Sequence, residues 1–297
     1  MTSLAETVAA SSDAAATPAA RVRAPRAIPV RAMGFAFDES IPRWWFCESP
    51  IVTHLANGLN ILFPAGEQFF IRSVKHYQDR IDDPELLARI RGFYGQEGRH
   101  GHEHERQGRV LEAQGYEIES FLRWYETLAF DRLVPILSPA LRLSVTAALE
   151  HFTASMARKG LRGNFLDHAH PVMADLLRWH AAEEIEHKSV AYDVFMKVDG
   201  RYSVRVLGLG IALGGLMYFW RASAKNLFRQ ERARGTDLRA YQEKARVDPV
   251  LIQEEQDRKE MFRDAIVDYL RPDFHPDHVD DTALAKGYLA SIGRLEG

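Results

Sequence analysis

The chain has 297 residues, of which 46% are hydrophobic and 27% charged, so a folded core is expected and wholesale disorder is excluded. The 38 basic and 41 acidic residues give a formal net charge of −3, and we expect no nucleic-acid partner. The only cysteine, Cys47, excludes an internal disulfide and a thiolate metal cluster. We therefore expect a reducing, cytoplasmic setting and nitrogen and oxygen ligands for any metal.

The first residues have the composition of a tail. Residues 1–28 are rich in Ala, Ser and Pro, include Glu6 and Asp13, and have no continuous apolar segment. This pattern is not that of a secretory signal, and we interpret the segment as disordered. Residues 29–297 are expected to form a single helical metal-binding domain, with a core bundle at 51–197 and additional C-terminal helices at 202–290.

Helical periodicity dominates the rest of the chain, and alternating strand patterns are nearly absent, which predicts an all-α fold. Proline and glycine mark most of the predicted helix ends. The pattern predicts core helices over 51–78 with a break near Pro64, 84–114 with Gly115 at the end, 139–161, and 171–197 closed by Asp199 and Gly200. It also predicts a connecting helix over 117–133 and further helices over 202–230 and 249–270.

The segment 206–220 is apolar all round. Its 15 residues are fewer than the roughly 20 that a helix needs to cross a bilayer. We expect it to be buried against the bundle. The alternative is peripheral membrane contact through 204–220, with Trp220, Arg221 and Lys225 at the interface. An added apolar helix is also compatible with a homodimer.

The four core helices carry acidic residues and histidines where their apolar stripes face one another. In the second helix, for example, Phe93 is followed on the same stripe by Glu97 and His100. Buried carboxylates cost several kcal/mol each unless cations balance them, and two divalent ions would balance four carboxylates. The predicted metal ligands are Glu67, Glu97, His100, Glu150, His180, Glu184 and His187, with His104 as a further candidate.

The spacing of these residues indicates a particular kind of site. Glu97 and His100, like Glu184 and His187, form Glu-x-x-His pairs, whose two side chains lie within about 60° on one helix face. Two such pairs, with one Glu from each of two other helices, form the dinuclear site of ferritin-like bundles. The sequence thus predicts a ferritin-like four-helix bundle with flanking helices and two metal ions, iron first, with Mn and Zn as alternatives. Glu183 could replace Glu184, but the spacing favours Glu184.

Other residues near these positions are weaker candidates. Thr146, Thr153 and Tyr94 could line a pocket beside the metals, although we expect packing to be their main role. His151 is expected to point away from the ligands, as an outer neighbour of the site or a surface residue. His275 and His278 are expected at the surface.

Two resemblances follow from these residues. The pattern His180-x-x-x-Glu184-x-x-His187 resembles the fourth helix of para-aminobenzoate N-oxygenase, a di-iron enzyme with an added histidine, which implies that His180 is a seventh ligand. The segments IPRWWFCESPIVTHLANGLNILFPAGEQFF, EGRHGHEH, LEHFTA and WHAAEEIEHK resemble a bacterial family of predicted metal-dependent hydrolases over residues 30–290. The chain has Ala65 where that family often has Glu, which leaves Glu67 in place.

Different functions are compatible with this pattern. The ligands favour a di-iron oxygenase or oxidase that activates dioxygen on a small, apolar organic substrate. An external electron donor would be required, because the sequence has no flavin, nicotinamide or iron–sulfur motif. The family resemblance implies a metal-dependent hydrolase that uses a metal-activated water. Iron storage without catalysis is a third alternative, which the extra helices disfavour.

Overall fold

The computed structural model describes residues 27–296, and within this range the fold is all-α, as predicted. No strand is present there beyond one isolated bridge between Phe46 and Ala169. The predicted tail lies outside the described residues except for its last two, of which Ile28 packs against the core. The helices are α1 (Pro50–Asn60), α2 (Phe63–Lys75), α3 (Pro84–Ala113), α4 (Glu119–Glu126, continued by a π-helical segment, Thr127–Leu133), α5 (Pro139–Arg162), α6 (Pro171–His187), α7 (Val190–Val198), α8 (Tyr202–Ala233), α9 (Leu238–Ala245), α10 (Pro249–Tyr269) and α11 (Thr282–Ser291).

Four helices form the centre of the fold. Helix α2 packs on α3, and α5 packs on α6; α2 also contacts α5, and α3 contacts α6, so the four surround a common interior. Around them, α8 and α10 pack on α5, α11 packs on α6, and α1 packs on α8. The four central helices are those to which the sequence assigned the candidate ligands. A specifically ferritin-like arrangement stays a prediction.

Local sequence signals explain where the central helices begin and end. Helices α3, α5 and α6 each open on a proline, which needs no backbone donor at that position. The side chain of Asp83 caps α3, and that of Ser138 caps α5. Helix α3 ends at Ala113, and Gly115 follows with a φ of 83° that lets the Tyr116 N–H reach the Leu111 carbonyl at 3.0 Å.

The structure shows the expected division of one predicted helix and corrects another. The predicted first helix is divided at residues 61–62, close to the expected break at Pro64. The predicted fourth helix is not continuous, because it is interrupted at Lys188 and Ser189. Both of these residues are buried and held from other elements: Lys188 Nζ donates to Asp281 Oδ1, and Ser189 Oγ accepts from Arg89. Helices α9 and α11 were not individually predicted.

The histidines outside the ligand set occupy different surroundings from one another. His151 is buried and faces α10, where its Nε2 lies 2.9 Å from the Ala265 carbonyl oxygen. His275 is half-buried rather than at the surface, with Nε2 2.9 Å from Asp193 Oδ1. His278 is exposed, as predicted.

Helix α8 is longer and less buried than the sequence suggested. It has 32 residues, and only 28% of its most apolar 18-residue window is buried, so the expected burial against the bundle is only partial. Leu209 and Ala212 face the core, whereas Leu207 and Tyr218 are 55% and 54% exposed. The helix is long and apolar enough to cross a membrane, but length and composition alone are weak evidence of a membrane span. Membrane contact and a homodimer stay predictions.

The contact between α8 and α5 depends on one glycine. A Cβ added to Gly208 would lie 2.1 Å from Ser144 Oγ and 2.9 Å from the Ser144 backbone carbonyl carbon. We expect Gly208→Ala to lower the free energy of unfolding by about 1–3 kcal/mol, because the helices must separate. Urea denaturation measures this change.

The matched control is Gly210→Ala, since a Cβ there meets nothing within 4 Å. Alanine favours the helix at that position by about 0.5–1 kcal/mol, so this variant should be as stable as the parent or more so. Equal stability of the two variants would contradict the close packing of α8 on α5.

Candidate metal centre

The predicted ligands meet in the interior of the four central helices. Each of these residues is at most 5% exposed. The set consists of Glu67 from α2, Glu97, His100 and His104 from α3, Glu150 from α5, and His180, Glu184 and His187 from α6. The helical periodicity that predicted a common face therefore places these side chains in one cluster.

The separations between the side-chain atoms suit metal coordination. His187 Nε2 lies 3.2 Å from Glu97 Oε1, 3.4 Å from Glu150 Oε2 and 3.6 Å from Glu184 Oε1. His180 Nε2 lies 2.8 Å from Glu184 Oε1. Ligand bonds of 2.0–2.2 Å place neighbouring ligand atoms roughly 3–3.6 Å apart around one ion. The cluster is thus already of the size that coordination requires.

The cluster divides into overlapping groups, each small enough to surround one ion. Their ligand atoms lie within 4.8 Å of one another. Glu97 and Glu184 each belong to one group that contains His100 and to another that contains His187, whereas Glu150 belongs to none of the four. The groups are Glu67 with His104 and His180; His100 with His180 and Glu184; Glu67 with Glu97 and His100; and Glu97 with Glu184 and His187.

Unpartnered polar atoms show that the cluster fits metal ions. Within the described residues, both carboxylate oxygens of Glu67, Glu97 and Glu150 are buried without a hydrogen-bond partner. The same is true of His100 Nδ1 and His187 Nε2. Each such atom costs about 1–3 kcal/mol when nothing binds it. Carboxylate oxygens and imidazole nitrogens that lack protein partners are the donors that Zn, Mn and Fe take.

The protonation of the cluster in the absence of metal follows from its burial. Burial raises the pKa of Glu67 and of Glu150 well above the usual value, and raises that of Glu97 as well. Burial also acts to raise the pKa of Glu184, but the His187 charge outweighs it and holds this pKa well below its usual value. Burial acts to lower the pKa of His187, yet Glu184 and Glu150 raise it well above normal. Metal ions must therefore displace protons from the cluster.

A glutamine orients the His187 ring. Gln96 Nε2 donates to the Pro29 carbonyl at 2.9 Å and to Glu186 Oε2 at 2.8 Å, which fixes the direction of the amide. Gln96 Oε1 is then the acceptor facing His187 Nδ1, 2.8 Å away. The proton of the neutral ring therefore lies on Nδ1, and Nε2 is left for a metal ion.

A buried ion pair orients the His100 ring and resolves the choice between two glutamates. His100 Nε2 lies 3.0 Å from Glu183 Oε2, while Arg31 Nη1 lies 2.9 Å from Glu183 Oε1. Glu183 therefore contacts Arg31 and His100, whereas Glu184 faces the cluster. Arg31 is 1% exposed, and the backbone before it crosses α3 where Gly92 leaves room for it.

Sequence reasoning missed the roles of Arg31 and Gln96. Arg31 lies in an extended segment without periodicity, and Gln96 lies one residue before a predicted ligand, so neither position carries a distinctive pattern. Their partners come from other elements of the fold, which a one-dimensional pattern does not reveal.

The weaker candidates have mixed outcomes. Thr146 Oγ1 lies 2.7 Å from Ser73 Oγ in the core. Thr153 Oγ1 donates to the Glu150 carbonyl, and the residue lines the cavity described below. The Tyr94 hydroxyl is buried without a partner in the described part of the chain, and Tyr94 does not line that cavity. His104 Nε2 lies 2.6 Å from His180 Nδ1, so His104 belongs to the cluster either as a ligand or as the partner of His180.

A cavity of about 870 Å³ reaches the cluster from one side. It lies between α1, α5, α6 and α10, and apolar side chains such as Phe63, Met156 and Leu177 line it. Of the candidate ligands, only His180 and Glu184 line this cavity. It therefore gives a small molecule access to one edge of the cluster.

Comparison with known proteins gives the family. A family model described as predicted metal-dependent hydrolase matches residues 29–280. The chain belongs to this family. A search of curated proteins and a search of solved structures each found no match. Family membership and the buried His and Glu cluster together support a metal-binding protein, whereas the resemblance to para-aminobenzoate N-oxygenase stays a prediction.

Neutralising one shared carboxylate should affect both ions. Because Glu97 belongs to two of the groups, we expect Glu97→Gln to lower the metal content below the about two ions per chain expected of the ferritin-like pattern. Elemental analysis of the purified protein measures this. Glu103→Gln is the control, since Glu103 is buried on the same helix but pairs with Arg106. Equal metal content in the two variants would contradict the assignment.

Metal affinity should increase with pH. The raised pKa values of Glu67, Glu97 and Glu150 mean that protons compete with metal, and fewer protons remain bound as pH rises. We expect competition with a chelator to show weaker zinc binding at about pH 6 than at about pH 8, and zinc uptake to release protons. An affinity that does not change with pH would show that the carboxyls are not the ligands.

Removing the acceptor that orients His187 should weaken metal binding without removing a ligand. We expect Gln96→Leu to lower metal affinity by about 10- to 100-fold. Gln107→Leu is the matched control, because Gln107 is also a buried glutamine of α3 but donates to Asn57. Chelator competition compares the two variants, and similar losses in both would indicate a general effect on α3.

Proposed function

We propose that this protein is a hydrolase that holds two divalent metal ions in the buried cluster and acts on substrates that enter the adjoining cavity. The observation that carries the proposal is the position of His180 and Glu184, which belong both to the cluster and to the cavity wall. The family of the chain supports the same reaction class.

The overlapping groups suggest how the residues would share the ions. Glu97 and Glu184 would contribute to both ions, since each shares one group with His100 and another with His187. Glu67, His100 and His180 would complete one position, and Glu150 and His187 the other; His104 would support or join the first. Two divalent ions supply water of lowered pKa at neutral pH and polarise the bond to be cleaved.

The protein residues around the cluster would provide positioning and a dry environment. Gln96 and Glu183 hold the rings of His187 and His100 with the unprotonated nitrogen toward the cluster. Apolar side chains line the cavity on the side from which a substrate would approach. Electrostatic interactions are stronger in such a site than in water.

A second candidate is the di-iron oxygenase or oxidase predicted from the ligand pattern. The observation in its favour is the pair of Glu-x-x-His motifs, with one Glu from each of α2 and α5, around a fully buried interior. This function would require iron, an apolar organic substrate and an external electron donor. The same donor atoms hold zinc and iron, so the ligand set alone does not choose between the two reactions.

Parallel assays on one preparation test the proposal. We expect the zinc-loaded protein to cleave phenyl butyrate and the Glu97→Gln variant to lose at least about 100-fold of this rate, because it holds less metal. The Glu103→Gln variant should retain the rate. Phenol release gives the measurement.

The competing result is equally specific. Dioxygen consumption by the reduced, iron-loaded protein, without ester or amide cleavage by any metal form, would reject hydrolysis and support the oxygenase. Neither activity in a protein that binds about two ions would reject both reactions.

A further inference from the structure

The wall of the cavity indicates the polarity of its ligand. Its apolar part is formed by large side chains from α1, α2, α5 and α6 and from the loop after α5: Leu59, Phe63, Met156, Phe165, Leu166 and Leu177. A charged ligand would lose its hydration there without gaining partners. An apolar ligand has no such hydration to lose, and its transfer from water into the cavity is favourable.

The rim of the cavity disfavours anions in particular. Four acidic side chains line it against three basic ones: Glu254, Asp257, Glu260 and Asp264, against Lys159, Arg162 and Arg258. Lys159 is already paired with Glu254 across the rim. A phosphate ester or a carboxylate would therefore enter against the local charge, whereas a neutral molecule would not.

One side chain of the wall lacks a partner. Asn60 is 2% exposed, and its Nδ2 has no hydrogen-bond partner among residues 27–296. Asn57, one turn earlier in α1, differs because its Oδ1 accepts from Trp45 at 3.0 Å and from Gln107 at 3.1 Å. An unpaired buried donor costs about 1–3 kcal/mol, which a ligand oxygen can offset. Asn57 Nδ2 in turn lies 3.4 Å from His54 Nδ1, so Asn60 Nδ2 is the unpaired amide donor of the two.

Asn60 and the metal-facing residues border the same space. Phe63 follows Asn60 by three residues, and its ring centroid lies 4.8 Å from that of His180. Asn60, Phe63, His180 and Glu184 all line the cavity. A small ligand can thus contact the Asn60 amide while its reactive carbon lies toward the cluster.

We propose that the cavity binds a neutral, apolar carboxylic ester or amide, and that Asn60 Nδ2 donates a hydrogen bond to an oxygen of this ligand. The reaction rests on the proposed hydrolysis; the binding does not. In the reaction, water adds to the carbonyl carbon, and the bond from this carbon to the alcohol oxygen or amine nitrogen breaks. The leaving group takes the proton that water releases, so the products are a carboxylic acid and an alcohol or amine.

The binding test uses three ligands of similar size on the zinc-loaded full chain. Butyrophenone has the ketone oxygen and cannot be hydrolysed, butylbenzene lacks the oxygen, and 4-phenylbutanoate is an anion. Displacement of the neutral dye Nile red measures each affinity. We expect butyrophenone to bind most tightly and 4-phenylbutanoate most weakly.

Two variants separate the amide from the cavity shape. Asn60→Leu keeps the side-chain volume. It should lower the affinity for butyrophenone about 10-fold and change the affinity for butylbenzene by less than about twofold. Thr153→Val is the control, because the Thr153 hydroxyl lines the cavity but already donates to its own helix. It should change neither affinity by more than about twofold.

The outcomes are distinct. Tighter binding of 4-phenylbutanoate, or an Asn60→Leu effect equal for butyrophenone and butylbenzene, would overturn the proposal. The expected binding pattern without cleavage of phenyl butyrate would leave the ligand class standing and reject hydrolysis. Cleavage of phenyl phosphate in preference to phenyl butyrate would overturn the ligand class and leave a hydrolase.

Discussion

The constraint on which the structure depends is the burial of four acidic side chains within one helical bundle. Glu67, Glu97, Glu150 and Glu184 are each at most 3% exposed and share a space of a few ångströms with histidines. Such a group tolerates little net negative charge, because repulsion between carboxylates is strong where water is absent. Protons or cations must therefore neutralise it, and the two compete for the same oxygen atoms.

This competition implies two charge states of the cluster, one neutralised by protons and the other by cations. Without metal, protonated carboxyls and the Glu184–His187 ion pair satisfy most of the charge. With metal, cations replace the protons at the same atoms. The apolar core around the cluster, which includes Phe93, Leu143 and Phe152, contains none of the candidate metal ligands. Folding and metal binding are therefore less tightly linked than in a small zinc domain that has no core of its own.

The sequence predicted the helical fold and the cluster because both follow from one periodicity. Side chains three and four residues apart share a helix face, so Glu97 and His100 had to point together wherever α3 packed. The residues that contact the cluster from other parts of the fold could not be predicted from this periodicity. Arg31 reaches Glu183 across the fold. The Asn60 amide nitrogen is notable only because it has no partner within the described part of the chain, whereas Asn57 Oδ1 has two. The exposure of α8 was misjudged for a related reason, since the apolar composition of a segment does not show which other helix, if any, packs against it.

The one-sided cavity would give the two proposed metal positions unequal roles. His180 and Glu184 line it, whereas Glu150 and His187 are fully buried and do not. An ion held by Glu67, His100 and His180 would lie toward a substrate, and an ion held by Glu150 and His187 would be enclosed. Glu97 and Glu184 would contribute to both positions, and His180 and Glu184 would be the ligands that lie beside a substrate in the cavity. Substitutions at the two positions should therefore have different effects. A substitution at the cavity position changes the groups that a substrate contacts, whereas one at the enclosed position changes only the electrostatic field around the substrate.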